Sequence, residues 1–199
     1  MATKVQWSES FAFSSAPKDA EERAWQARFI NEVEGESARG AVLTIVSFID
    51  ELLIDILNSY FPNKSHSERL LCELDGCLST IMHRANIAFA LSLLREREFK
   101  AIKALARIRN EFAHKWDGTS FDNKVISKFV NSFPAEYFEG IEGSNRAKFN
   151  CVASDTVQQL LARSSYAEDI CHYLPKEYKD IFDRPIEERR RLLEARRKK

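Results

Sequence analysis

Apolar residues recur along this chain every three to four positions, and no run of strict alternation marks a β-hairpin. Residues 18–34 place Trp25, Phe29, Ile30 and Val33 at helical spacing among charged neighbours, which predicts an amphipathic helix ending near Gly35. Over residues 41–60 the arc is much wider. Val42, Ile45, Val46, Ile49, Leu52, Leu53, Ile56, Leu57 and Tyr60 share one side of a helical wheel, with Ser47, Glu51, Ile54 and Asn58 opposite, so this is the expected central core helix. Pro62 limits it, because proline has no N–H to donate and its ring clashes with the preceding turn.

A short polar stretch then leads to a helix expected over 79–94, with Ile81, Ala85, Ala88, Phe89 and Leu93 facing inward and His83 and Asn86 on its polar side. Residues 96–116 contain no Gly or Pro, and Phe99, Ile102, Leu105, Ala106, Phe112 and Ala113 form an inner stripe; Gly118 supplies the stop. Further helices are expected over 123–131 and 146–174, separated by Pro134 and the loop 139–143. The first 17 residues lack periodicity and read as a tail that is loose or docks through Trp7, Phe11 and Phe13. The pattern predicts an all-α fold, an up-and-down helical bundle with additional C-terminal helices. Its divisions are a tail at 1–17, a bundle domain at 18–175 and a basic C-terminal helix at 176–199.

Charge modifies this picture only at the C-terminus. The 30 basic and 30 acidic residues cancel, so the whole molecule has no strong field to draw it to nucleic acid or to a membrane. The last sixteen residues carry eight basic against three acidic side chains, an excess of five that leaves the remainder negative by five. Such a helix is either a phosphate-contacting surface or a solvated face. No stretch approaches 18 consecutive apolar residues and no basic-then-apolar leader opens the chain, so a cytoplasmic protein without a membrane span is expected. Cys72, Cys77, Cys151 and Cys171 form no CxxC pair and are expected to be reduced. The C-x4-C spacing of Cys72 and Cys77 is loose for a zinc site with His83 and His172, so no metal and no cofactor is expected.

The chemically suggestive segment is Arg109-Asn110-Glu111-Phe112-Ala113-His114. On the wheel Arg109 falls within the stripe of Ile102, Leu105, Phe112 and Ala113, where a guanidinium that cannot deprotonate needs a buried carboxylate or a wet cleft. Asp50, Asp55, Glu73 and Asp75 are the candidate partners. Asn110 and His114 lie one turn apart, with Lys103, Arg107 and Lys115 nearby, so the helix end gathers an amide, an imidazole and cations, a set suited to a phosphodiester. Attack of an RNA 2′-hydroxyl on the adjacent phosphate needs proton transfer and charge stabilisation and no metal. In that scheme His114 is base or acid, Arg109 stabilises developing charge and Asn110 orients, while Lys103, Arg107 and Lys115 bind the RNA. The structural alternative is that Arg109 and His114 make buried hydrogen bonds and cap the helix C-terminus.

These residues, with Ile108 before them, resemble the R-x4-H motif of the HEPN superfamily, including the Asn that follows the Arg. The resemblance implies a metal-independent endoribonuclease of the toxin or antiviral-effector kind, with a composite site built from two motifs across a homodimer; other members of the superfamily are non-catalytic binding modules. A protein partner such as an antitoxin or sensor belongs to that expectation. The layout of residues 38–165, a long apolar helix followed after a loop by a helix ending in an Arg-Asn-x-Phe-Ala-His-like segment, resembles the mannitol operon repressor family. That likeness implies a non-catalytic transcriptional regulator acting through protein or nucleic-acid partners.

Overall fold

The computed structural model describes residues 5–6, 8–13, 15–73, 75–115, 117–138, 141–178 and 180–197; Trp7, one of the three expected anchors of the tail, lies outside them. The fold is all-α. The helices are α1 (Ala20–Gly35), α2 (Ala38–Tyr60), α3 (Lys64–Cys72), α4 (Ile81–Ala90), α5 (Glu96–His114), α6 (Lys124–Val130), α7 (Asn145–Leu161), α8 (Arg163–Cys171) and α9 (Ile186–Arg197). The extended pairing among the described residues is one parallel bridge between β1 (Val5–Gln6) and β2 (Ile141–Glu142).

α2 is the axis of the molecule, and α4, α5, α7 and α8 pack around it. Ser37 starts it by accepting a hydrogen bond from the Gly40 amide at 3.1 Å, and it stops at Tyr60, two residues before Pro62. Ile45, Ile49, Leu53, Ile56 and Leu57 are fully buried while Ser47, Glu51 and Asn58 face water, as the wheel predicts. Each such side chain contributes roughly 1.5–3 kcal/mol by leaving water, so this row dominates the core.

Three boundaries differ from the periodicity, and the C-terminal helix expected from residue 176 begins at Ile186. The polar stretch after Pro62 is itself helical: Asn63 caps α3, and Ser67 and Leu71 are its buried positions, too few to register as a stripe. α4 ends at Ala90 rather than 94, because Ser92 takes a left-handed conformation (φ 59°) while the Leu93 amide returns to the Ala88 carbonyl at 2.8 Å. Leu93 and Leu94 thus reach the core from outside the helix, and Phe89, expected inside, is 38% exposed and stacks on Phe99 with ring centres 4.8 Å apart. The helix expected over 146–174 is two, broken at Ala162 (ψ −1°) so that α8 folds back along α2. No Gly or Pro marks the break.

Two buried ion pairs tie the helices together. Glu98, fully buried, accepts from the Arg163 guanidinium at 3.0 Å and from the Arg95 amide at 2.7 Å, and Arg163 also donates to the Leu93 carbonyl. Arg84, 5% exposed, donates to Asp50 Oδ1 and to the Leu71 carbonyl, both at 2.6 Å, joining α4 to α2 and to the end of α3. At the N-terminal side Phe11 is buried and its ring meets Phe13 and Phe29 edge-on, while Asn150 Nδ2 donates to the Glu9 carbonyl at 2.5 Å.

Candidate functional site

The motif occupies the last two turns of α5. α4 runs antiparallel to α5: its end stacks Phe89 on Phe99 near the start of α5, and its beginning meets Arg109 and Asn110. The cover that α4 gives to the apolar arc of α5 therefore runs out at the motif. What remains there is an open groove of about 360 Å³ with Val46 and Ala106 below and Asp50, Thr80, Arg109 and Asn110 among the polar groups around it.

Of the two environments expected for Arg109, the structure has the open cleft and not the buried carboxylate. Arg109 sits on the arc of Ile102, Leu105 and Phe112 but is exposed, and Nη1 donates to Asn110 Oδ1 at 3.3 Å. The arginine that neutralises Asp50 inside the protein is Arg84, whose place three residues after Ile81 and four before Ala88 was a legible signal of an inward position. Of the other candidate partners, Asp55 and Asp75 are exposed and Glu73 pairs with Arg69 at 3.4 Å on the surface. Asp50 faces both ways: one oxygen holds Arg84, and the residue also lines the groove near Arg109. Ser47, Ser79 and Thr80 join it there, and no local pattern points to them because they come from α2 and the approach to α4.

His114 is exposed at the end of α5 and does not line the groove. The cation that serves the carbonyls of this last turn is Arg39, whose Nη2 donates to the Ala113 carbonyl at 3.0 Å. Arg109 and His114 are thus not the buried capping groups of the structural alternative. Lys103, Arg107, Asn110 and His114, at spacings of four, three and four, form one exposed polar stripe along α5. Arg107 places its guanidinium 5.8 Å from the centre of the Phe129 ring, and Lys115 is drawn to Glu111 at 2.8 Å. The structure therefore brings Arg109 and Asn110 into the groove and sets His114, Lys103 and Arg107 on the adjoining face.

Two groups on other elements are shifted in acidity. Burial, reinforced by the Asp155 carboxylate, pushes the Cys151 thiol up to about 11 and the Tyr137 phenol up to about 12. Both groups are protonated at neutral pH and stand on α7 and the 3-10 turn at Ala135–Phe138, away from the motif. Among the described residues no three His, Cys, Asp or Glu side chains gather as a metal site, and no helix is long and apolar enough to cross a membrane.

No protein-family model matches the sequence, and no curated protein matches it. The fold is similar to a chain in the X-ray structure of the MtlR–HPr complex from Escherichia coli, with a TM-score of 0.54 at 14% identity, covering 69% of this chain and 98% of that one. The likeness extends over nearly the whole of that chain and is one of fold.

Proposed function

We propose that this protein is a non-catalytic regulator that works by docking a protein partner in the groove at the end of α5. The groove carries this reading. A shallow apolar floor rimmed by a carboxylate, a guanidinium, an amide and hydroxyls offers a partner backbone several hydrogen bonds beside a small dry contact. Arg109 and Asn110 are partnered with each other rather than with an acid–base group. The fold neighbour is itself seen in a complex with another protein, HPr, which supports a protein rather than a small molecule as the partner here. The test is site-specific photocrosslinking from position 47 or 110 in cells of the source organism. A discrete adduct that Arg109→Glu abolishes and His114→Ala retains is the expected result; unaltered adducts in Arg109→Glu would remove the groove from the interface.

A second reading, metal-independent RNA cleavage, is favoured by the exposure of Arg109, Asn110 and His114 within two turns of one helix. Each chain supplies one imidazole there, so the mechanism requires a two-fold dimer with the motifs facing each other across a cleft. Lys103, Arg107 and Lys115 would then hold phosphates beside it. Cleavage of RNA to 2′,3′-cyclic phosphate ends in the presence of a chelator, lost in His114→Ala, would displace the regulator reading. Intact RNA across a broad panel would retire the ribonuclease.

A further inference from the structure

The body of the protein covers most of its large apolar side chains, but the C-terminal segment leaves several of its own exposed. Tyr173 is 90% exposed, Tyr178 86%, Phe182 74% and Ile186 71%, and among the described residues no other helix packs extensively along α9. On α9 the residues Ile186, Arg190 and Leu193 recur at spacings of four and three, which gives one face an apolar row with a cation inside it. Residues 189–199 carry seven basic side chains against the single Glu194. Of these, Arg189 is spent locally, donating to the Phe182 and Arg184 carbonyls, while Arg190 and Arg191 are exposed.

The complement to this face exists on the same molecule. Between the start of α1 and the end of α7 a cleft of about 570 Å³ has Trp25, Leu161 and Ala162 for its apolar wall and Asp19, Glu21 and Glu22 at its rim, with Lys18 and Arg28 also at its edge. Gln158 contributes a buried amide oxygen that accepts no hydrogen bond. An arginine entering there finds an indole and carboxylates, the set that suits a guanidinium.

We infer that α9 and the residues before it dock into the α1–α7 cleft of a second copy of this chain, forming a two-fold dimer by reciprocal exchange of C-terminal segments. Charge complementarity selects this occupant. The last sixteen residues are positive by five and the rest of the chain is negative by five, so tail and body of two copies attract. The tail is also of mixed sign, with Glu187 and Glu188 ahead of the arginines, which opposes a row of phosphates but fits a rim that holds Lys18 and Arg28 among its carboxylates. Reciprocal exchange doubles the contact. Tyr178, Phe182, Ile186 and Leu193 from each copy, at roughly 100–200 Å² apiece, bring it to on the order of 800–1,600 Å² before the surface of the two clefts is added, which reaches the size of a stable interface. The inference is independent of the docking proposed for the groove, since it uses neither Arg109 nor His114.

Sedimentation velocity of the full chain from 1 to 100 µM is the test. The expected result is a species of twice the 23.0 kDa chain mass in ~50 mM salt, with dissociation strengthened at least tenfold in ~500 mM salt, where screening is tighter. Arg190→Glu/Arg191→Glu and, separately, Glu21→Arg should each weaken the dimer tenfold or more while circular dichroism stays unchanged. Mixing the two variants should restore it, because the mixed dimer has one native contact and one with both signs reversed. A monomer at 100 µM overturns the inference. So does a dimer that ignores both variants, or a double arginine reversal that abolishes binding of a labelled single-stranded RNA while the dimer persists.

Discussion

Replacing Arg84 and Arg109 in parallel separates scaffold from site. Arg84→Met removes a charge-assisted hydrogen bond to Asp50 and a second to the Leu71 carbonyl, both at 2.6 Å, from a side chain 7% exposed. Breaking one partner of a buried pair costs roughly 3–5 kcal/mol. Asp50 is 29% exposed and opens on the groove, so its carboxylate regains water and the lower end, about 3 kcal/mol, applies. For a chain of this size that lowers Tm by roughly 6–12 °C. Arg109→Ala loses one 3.3 Å bond to its exposed neighbour and should stay within about 0.5 kcal/mol of the parent, or ~2 °C. Thermal melts followed by circular dichroism, with urea titrations at 25 °C, measure both. If Arg109→Ala melts as low as Arg84→Met, Arg109 is a buried structural arginine and the groove is wrongly assigned. If Arg84→Met melts with the parent, the Arg84–Asp50 contact holds nothing together.

Arg163→Met should cost roughly 3–5 kcal/mol by stranding fully buried Glu98, and adding Glu98→Leu should recover about 1 kcal/mol or more; a double variant no better than the single would deny the coupling. Phe11→Ala should cost roughly 3–5 kcal/mol in urea denaturation, because Phe11 is 1% exposed in the core; a loss below ~1 kcal/mol would make residues 8–13 peripheral. Burial raises Cys151 from 9.0 to about 11 and Tyr137 from 10.0 to about 12, so their folded values lie above the unfolded ones. Their stabilising contribution is whole below about pH 9 and is lost as pH rises towards 12, so the urea midpoint should fall over that window and fall less in Cys151→Ser/Tyr137→Phe. At pH 8 a thiol reagent should modify exposed Cys72 and Cys77 well before Cys151; equal rates would contradict its burial.

The identity of the main helices was legible in the chain because helical periodicity is a relation among near neighbours. Ile45, Ile49, Leu53 and Ile56 declare the buried face of α2 whatever packs on it, and the uninterrupted run of residues 96–114 declares α5. The local polar stripe of Lys103, Arg107, Asn110 and His114 was legible on the same ground. What covers each face is a relation between distant segments, and there the one-dimensional pattern stops. Arg109 lies on an apolar arc and is nevertheless exposed because α4 begins at Ile81, opposite the motif, and covers only the earlier turns. The left-handed Ser92, the break at Ala162 and the meeting of Asp50, Thr80 and Arg109 in one groove carry no Gly, Pro or spacing mark. They arise because Leu93 and Leu94 must reach the core and α8 must reach α2, and the free energy that bends the chain at those points comes from apolar surface contributed by residues far away in sequence.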